Sequence, residues 1–181
     1  MASITQAVLR DELQVSGIPS PKGLAPYSYA VSADVNPARH TDDSDLGTGR
    51  LIVLYDPDSP EAWGGSVRVI AYVQAPLEND IGLDPFVSDV AWAWLVDALA
   101  TRGALYTEAS GTATKVLSTG YGELADHGSG AQLELRASWT PLDHDLAPHV
   151  EGWSELLCMV AGYPPSTDNV TTLPVHRKPR G

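Results

Sequence analysis

The sequence predicts an α+β domain: an antiparallel sheet of about five strands in the order βββ-α-ββ-α, helices on one face, and a short N-terminal helix as an option. Two periods carry this. Apolar residues alternate with polar ones in "APYSYAVSADV" and "AQLELRASWTPL", as in strands with one buried face. They recur at helical spacing in "DPFVSDVAWAWLVDALATRG" and "LAPHVEGWSELLCMV". A third observation sets the topology. The strand connections are of hairpin length, so neighbouring strands run antiparallel and two helices can cover one face.

Ser3 to Leu13 could make a short helix, though its pattern is thin. "LQVSGIPSPKG" carries two prolines and two glycines and must be extended or turning. In the next strand Tyr27, Tyr29, Val31, Ala33 and Val35 share a face. "NPARHTDDSDLGTG" is a polar, acidic loop. "RLIVLYD" reads as a buried strand, "PDSPEAWGG" as a turn and "SVRVIAYVQAPL" as the return strand of a hairpin. Pro85 to Arg102 is a helix, with Asp84 as N-cap, Pro85 in the first position, Arg102 in the last turn and Gly103 beyond the end. "ALYTEASGTATKVLSTG" is a strand with small residues at its middle, followed by the Gly-rich turn "YGELADHGSG". Along "AQLELRASWTPL", Leu133, Leu135, Ala137 and Trp139 share one face and Glu134, Arg136 and Ser138 the other. Leu146, Val150, Trp153, Leu156, Leu157 and Val160 then mark a closing helix, stopped by Gly162 and Pro164.

The 181 residues suit one domain, 1–165, followed by a flexible tail, 166–181. Asp and Glu total 23 against 11 Lys and Arg, a formal charge of -12. So acidic a surface makes nucleic-acid binding unlikely and repels anionic membranes. The exception is the basic tail "HRKPRG", through which an RNA-associated factor could act. No apolar run is long enough for a membrane span and no signal peptide is visible. The single Cys158 suits a reducing compartment, and the expected location is the cytoplasm. Cys158 sits among apolar neighbours and reads as a packing residue.

Two tryptophans, Trp92 and Trp94, stand two residues apart on the first long helix. There they lie about 200° apart, and the apolar arc exceeds what a surface helix needs. Either the helix is sandwiched within its own domain, or a homodimer or protein partner covers one side. The residues put forward for such a contact are Trp94, Val87 and Val90, with Trp63, Tyr27 and Tyr29 as further aromatic or apolar anchors. The small strand offers a seat for one indole, or room for a ligand. A ligand pocket there would be lined by Trp92, Trp139, Arg136 and Glu134. Glu134 and Arg136 otherwise suggest a cross-strand ion pair.

Chemistry-bearing motifs are sparse. Asp143, His144, Asp145 and His149 are close in sequence, but their spacing fits helix caps better than a metal site. "GYGELADHGSG" lacks the Lys-Ser/Thr step of a phosphate loop, and no G-x-S-x-G occurs. No catalytic residue, metal ligand or cofactor is assigned.

The blocks "LAPYSYAVSADV", "GRLIVLYDPDSPEAWGGSVRVIAYVQA", "VAWAWLVDAL", "EASGTATKV", "LELRASWTPL" and "EGWSELLCMVAGYPP" closely resemble the actinobacterial "domain of unknown function 3000" family over about residues 14–165. That resemblance implies no activity. It implies a longer first helix than this N-terminus offers. The order of elements also resembles type III secretion chaperones and YbjN-like proteins, which are small, acidic, usually dimeric binders. The leading expectation is a cytoplasmic, non-catalytic interaction or chaperone-like domain that dimerises or holds a partner. The alternative is a small-molecule-binding domain or enzyme with its pocket between the small strand and the helices.

Overall fold

The computed structural model describes residues 4–35, 46–127 and 130–166. Most of the polar loop and nearly all of the tail, including its basic end, lie outside the described residues. The strands are β1 (Leu13–Gly17), β2 (Tyr27–Val35), β3 (Thr48–Tyr55), β4 (Val67–Leu77), β5 (Tyr106–Ser118) and β6 (Gly130–Pro141). The helices are α1 (Asn79–Leu83), α2 (Val87–Thr101) and α3 (Ala147–Val160). All strands pair antiparallel in one sheet, in the order β1-β2-β3-β4-β6-β5. The class is the α+β one expected, with six strands rather than five.

The additional strand is β1, paired with β2 from Leu13 opposite Val35 to Gly17 opposite Val31. The N-terminal helix does not form. Only Ile4–Gln6 make a short 3-10 turn. Beyond it, backbone donors go to α3 rather than to a helix of their own: Val8 N–H donates to Glu151 at 2.9 Å and Arg10 N–H to Ser154 Oγ at 2.9 Å. Side-chain acceptors across the fold replace the i→i−4 bonds that a helix would need.

One face of the sheet is the core. Val31, Ala33 and Val35, Leu51 and Val53, Val69, Ala71 and Val73, and Leu133, Leu135 and Trp139 are all buried there. α2 lies against β5 and β6, and α3 against β3 and β4. All six apolar positions predicted on the closing helix are buried. Asp145 Oδ1 accepts the N–H of Ala147, the first residue of α3, at 3.1 Å, and Asp143 Oδ1 accepts the Asp145 N–H at 3.0 Å in the turn before it, whereas the N-cap position itself falls to Leu146, which makes no side-chain cap. α2 begins two residues later than expected: Asp84 Oδ1 accepts the Phe86 N–H and Pro85 precedes the helix. Gly103 follows its end at φ 74°, as a C-terminal glycine should.

The two tryptophans of α2 bracket a single buried arc. With Leu95 at the centre, Trp92 lies about 60° to one side and Trp94 about 100° to the other. Ala91, Ala98, Leu99 and Val87 fall between them, all buried. Trp92 and Trp94 are each half-buried and pack against the chain's own core. Trp92 rests on Gly111 of β5, where a Cβ would come within 2.6 Å of the indole. The small middle of β5 is the seat of that ring.

Glu155 is 3% exposed and holds four parts of the chain together. Arg10 Nη1 donates to its Oε1 at 2.8 Å and Arg102 Nη2 to its Oε2 at 2.9 Å. Ser166 N–H donates to Oε1 at 2.6 Å, and its hydroxyl pairs with Oε2 at 2.9 Å. Burial alone would raise the Glu155 pKa. The bonds from Ser166 and Arg102 and the charge of Arg10 outweigh it and hold the carboxyl below its ordinary range. Arg10 also binds Glu12 with two nitrogens, at 2.6 and 3.0 Å. Neighbouring Cys158 is fully buried, and burial pushes its thiol up to about 12, as suits a packing residue.

A second buried polar contact joins β6 to α3. The Trp139 indole N–H donates to His149 Nδ1 at 3.0 Å. His149 is 1% exposed, so its proton belongs on Nε2, which has no partner among the described residues. Burial lowers its pKa, against a smaller opposing pull from Asp143 and Asp145. No helix among the described residues is long and apolar enough to cross a membrane.

Two predictions follow from these buried groups. Glu155→Gln removes the buried carboxylate that Arg10 and Arg102 share, leaving Arg10 with Glu12 and Arg102 with Glu151 at 3.9 Å, and is expected to lower stability by about 3 kcal/mol in urea unfolding, the low end for a broken buried pair; a loss below about 1 kcal/mol would make the cluster an ordinary surface pair. For His149, the unfolded chain binds the proton more readily than the folded one, so stability rises with pH through the window below about 6.5. Urea midpoints at about pH 8 and 5 should differ less in His149→Gln than in the parent chain.

Candidate functional site

The core face is left partly open at one end of the sheet. Antiparallel pairing sets Tyr27 at the start of β2 opposite Tyr55 at the end of β3, and Tyr55 opposite Val67 at the start of β4. Paired residues point to the same face, so both phenol rings stand over the core side. Their centroids are 5.8 Å apart at an interplanar angle of 35°, within the range of a favourable aromatic contact. Val53 and Val67 form the floor, Leu146 and His144 the wall before α3, and Ile4 and Pro57 the remaining sides. The cavity measures about 510 Å³.

Its chemistry is apolar with a few polar points. Val53, Ile4 and Leu146 are buried beneath it, whereas Tyr27 and Tyr55 remain 57% and 41% exposed. So much ring surface in water beside an apolar floor contributes little to the fold and leaves apolar area for a ligand to cover. Two phenol hydroxyls and the His144 imidazole supply hydrogen-bonding groups at the rim. A cavity of this size and lining fits a bulky side chain or a small apolar molecule.

Among the residues proposed for partner contact, only Tyr27 lines this cavity. Tyr29 lies two residues along the same face, half-buried on the core. Trp63 is half-buried in the 3-10 turn Glu61–Trp63, and its carbonyl accepts the Thr140 hydroxyl. Val87 is buried in α2, Val90 is 38% exposed, and Trp94 flanks the buried arc. None of the three lines the cavity. The pattern missed Val53, Tyr55, Val67, Leu146 and Ile4. The readable signal was the pairing of Tyr27 with Tyr55, which becomes visible only once the register of β2 on β3 is known.

The four residues proposed for a ligand pocket are split between the two faces of β6. Trp139 is fully buried on the core face and Trp92 fills the space over Gly111. Glu134 and Arg136 lie on the opposite face, because successive side chains of a strand alternate. They pair with each other along the strand, Arg136 Nε to Glu134 Oε1 at 2.7 Å, rather than across strands as expected. The cross-strand contacts run to Tyr72: its ring lies 5.6 Å from the Arg136 guanidinium carbon, and its hydroxyl donates to Glu134 Oε2 at 3.1 Å. Burial, then the bond to Glu134, raises the Tyr72 pKa. Among the described residues no group of three or more His, Cys, Asp and Glu could hold a metal ion. His149 turns to Trp139 while His144 faces the cavity.

A family model described as "Protein of unknown function (DUF3000)" matches residues 1–171. No curated protein and no solved structure matches the chain.

If the two tyrosines serve a ligand rather than the fold, removing them is nearly free. Tyr27→Ala and Tyr55→Ala are each expected to cost about 1 kcal/mol or less in urea unfolding. Their coupling in a double-mutant cycle should be about 0.5–1.5 kcal/mol. Single losses above about 3 kcal/mol would place them in the core instead.

Proposed function

Because the chain belongs to the DUF3000 family, whose description assigns no activity, we propose from its geometry that it is a protein-interaction domain which holds an apolar side chain of a partner between Tyr27 and Tyr55. The observation that supports this reading is the pair of largely exposed phenol rings over the floor of Val53 and Val67. Tyrosine is enriched at interface anchors because it adds apolar area and a hydroxyl at little entropic cost. The formal charge of -12 favours a partner with basic residues around that anchor. The lone, buried Cys158 supports a reducing, cytoplasmic setting.

A second reading is favoured by the cavity volume of about 510 Å³: a small apolar molecule in the same place. Dimerisation through Val90 and Trp94 of α2 would share no residue with the cavity.

The test is a methyl-resolved NMR titration with indole and with a peptide carrying one tryptophan among lysines. Binding by the peptide at least tenfold tighter than by indole, with shifts at Val53, Val67 and Leu146, supports the interaction domain. Equal affinities favour the small-molecule reading. Shifts confined to α2, or none at these methyl groups, would sink both.

A further inference from the structure

We infer that the free edge of β5 takes up an extended, acidic segment of a partner protein as a further strand, and that Arg136 on the outer face of the sheet selects its carboxylates. This surface is separate from the Tyr27–Tyr55 cavity and does not depend on it.

β5 ends the sheet. It pairs with β6 on one side only, so every second backbone N–H and C=O along its other side is without a strand partner among the described residues. Its pairing shifts between Thr107 and Ser110, and Glu108 there has φ 51°. That bulge disrupts the edge locally. From Ser110 to Ser118 the register with β6 is unbroken. An edge this long and regular is a template for an added strand, with main-chain bonds giving affinity and alternate side chains giving selectivity.

The selectivity comes from the outer face. Arg50 on β3, Arg68 on β4 and Arg136 on β6 all stand there, in a chain of formal charge -12. Arg136 is 69% exposed at its side chain and uses Nε for Glu134. Among the described residues its two terminal nitrogens have no hydrogen-bond partner, so they stay open to a ligand. Arg68 is fastened in place, donating to Ser138 Oγ at 2.7 Å, Thr140 Oγ1 at 3.0 Å and the Glu108 carbonyl at 2.9 Å. A shallow cavity of about 340 Å³ connects this face to the edge, with Ile70 in its floor and Ser110, Thr112 and Ser138 around it.

The reach is adequate. A strand added beside β5 would lie about 10 Å from β6. Thr112 pairs with Arg136, so the outward side chain next to Thr112 approaches the Arg136 guanidinium over a short residue. A glutamate there meets an exposed donor fork. A lysine meets like charge.

The experiment uses fluorescent peptides of about nine residues, one alternating threonine with glutamate and one alternating threonine with lysine, titrated into the full chain. The glutamate peptide should bind at least tenfold tighter than the lysine peptide. Arg136→Glu should erase or invert that ratio; its exposed side chain lies outside the core, and circular dichroism checks that the fold is kept. Hydrogen exchange should slow at alternate amides of Ser110–Ser118 when the glutamate peptide binds. Protection elsewhere, binding that ignores the charge of the peptide, or a dimer by light scattering whose Ser110–Ser118 amides are already protected without peptide would each overturn the inference. Tyr27→Ala should leave this binding unchanged, so failure here is distinguishable from failure of the cavity reading.

Discussion

The buried carboxylate of Glu155 is the contact on which the arrangement of the helices and both chain ends depends. A lone carboxylate at that depth would be costly. It is held there by Arg10 from the N-terminal segment, Arg102 from the end of α2 and Ser166 from the C-terminal segment. Arg10 and Arg102 lie 145 and 53 residues from Glu155 in sequence, so the cluster closes only when the fold is complete. It also reaches the candidate site. Arg10 anchors the N-terminal segment, whose Ile4 closes one side of the cavity. A change at Glu155 therefore acts on the cavity wall through the chain, without touching it.

The sheet divides its two faces between stability and contact with the outside. Alternation along β2, β3, β4 and β6 sends most valines and leucines to the helices and leaves a mixed outer face of Ser, Gln, Arg and Tyr72 with Ile52, Ile70 and the buried Leu54. On that face the Tyr72 hydroxyl donates to Glu134, Arg136 pairs with Glu134 and lies over the Tyr72 ring, and Arg68 donates to Ser138. An ion pair there, such as Arg136 with Glu134, is exposed and contributes little to stability. It orients a guanidinium.

What could be read from the sequence was whatever is periodic. The alternation of "AQLELRASWTPL" identifies β6 and both its faces, and the helical spacing of Leu146 to Val160 identifies α3 with its buried residues. What could not be read was set by distant partners. β1 has five residues and exists because Leu13–Gly17 finds β2; alone it has no pattern long enough to declare itself. α1 lies on β6 only because Gly82 has no Cβ to meet Ala131. Arg102 reads as a cation at a helix end, and nothing local to it points to Glu155, 53 residues away. The pair Trp92 and Trp94 looked like two faces because the angle between them was taken one way round the helix. The buried arc runs the other way, between them.

The cavity lies where the covering material of the sheet runs out. Six strands span about 24 Å between the edges, and two helices of about 10 Å each cover most but not all of that width. α2 occupies the β5–β6 side and α3 the β3–β4 centre. The strip over β2 falls to the N-terminal segment, which puts down one three-residue turn and then gives its backbone donors to Glu151 and Ser154 of α3. A helix in that position would have laid further apolar side chains over Val53 and Val67. The extended segment cannot, so Tyr27 and Tyr55 are left leaning on each other over a floor that the segment flanks through Ile4. The same exchange of hydrogen bonds that makes the N-terminus part of the clamp is what keeps the cavity open.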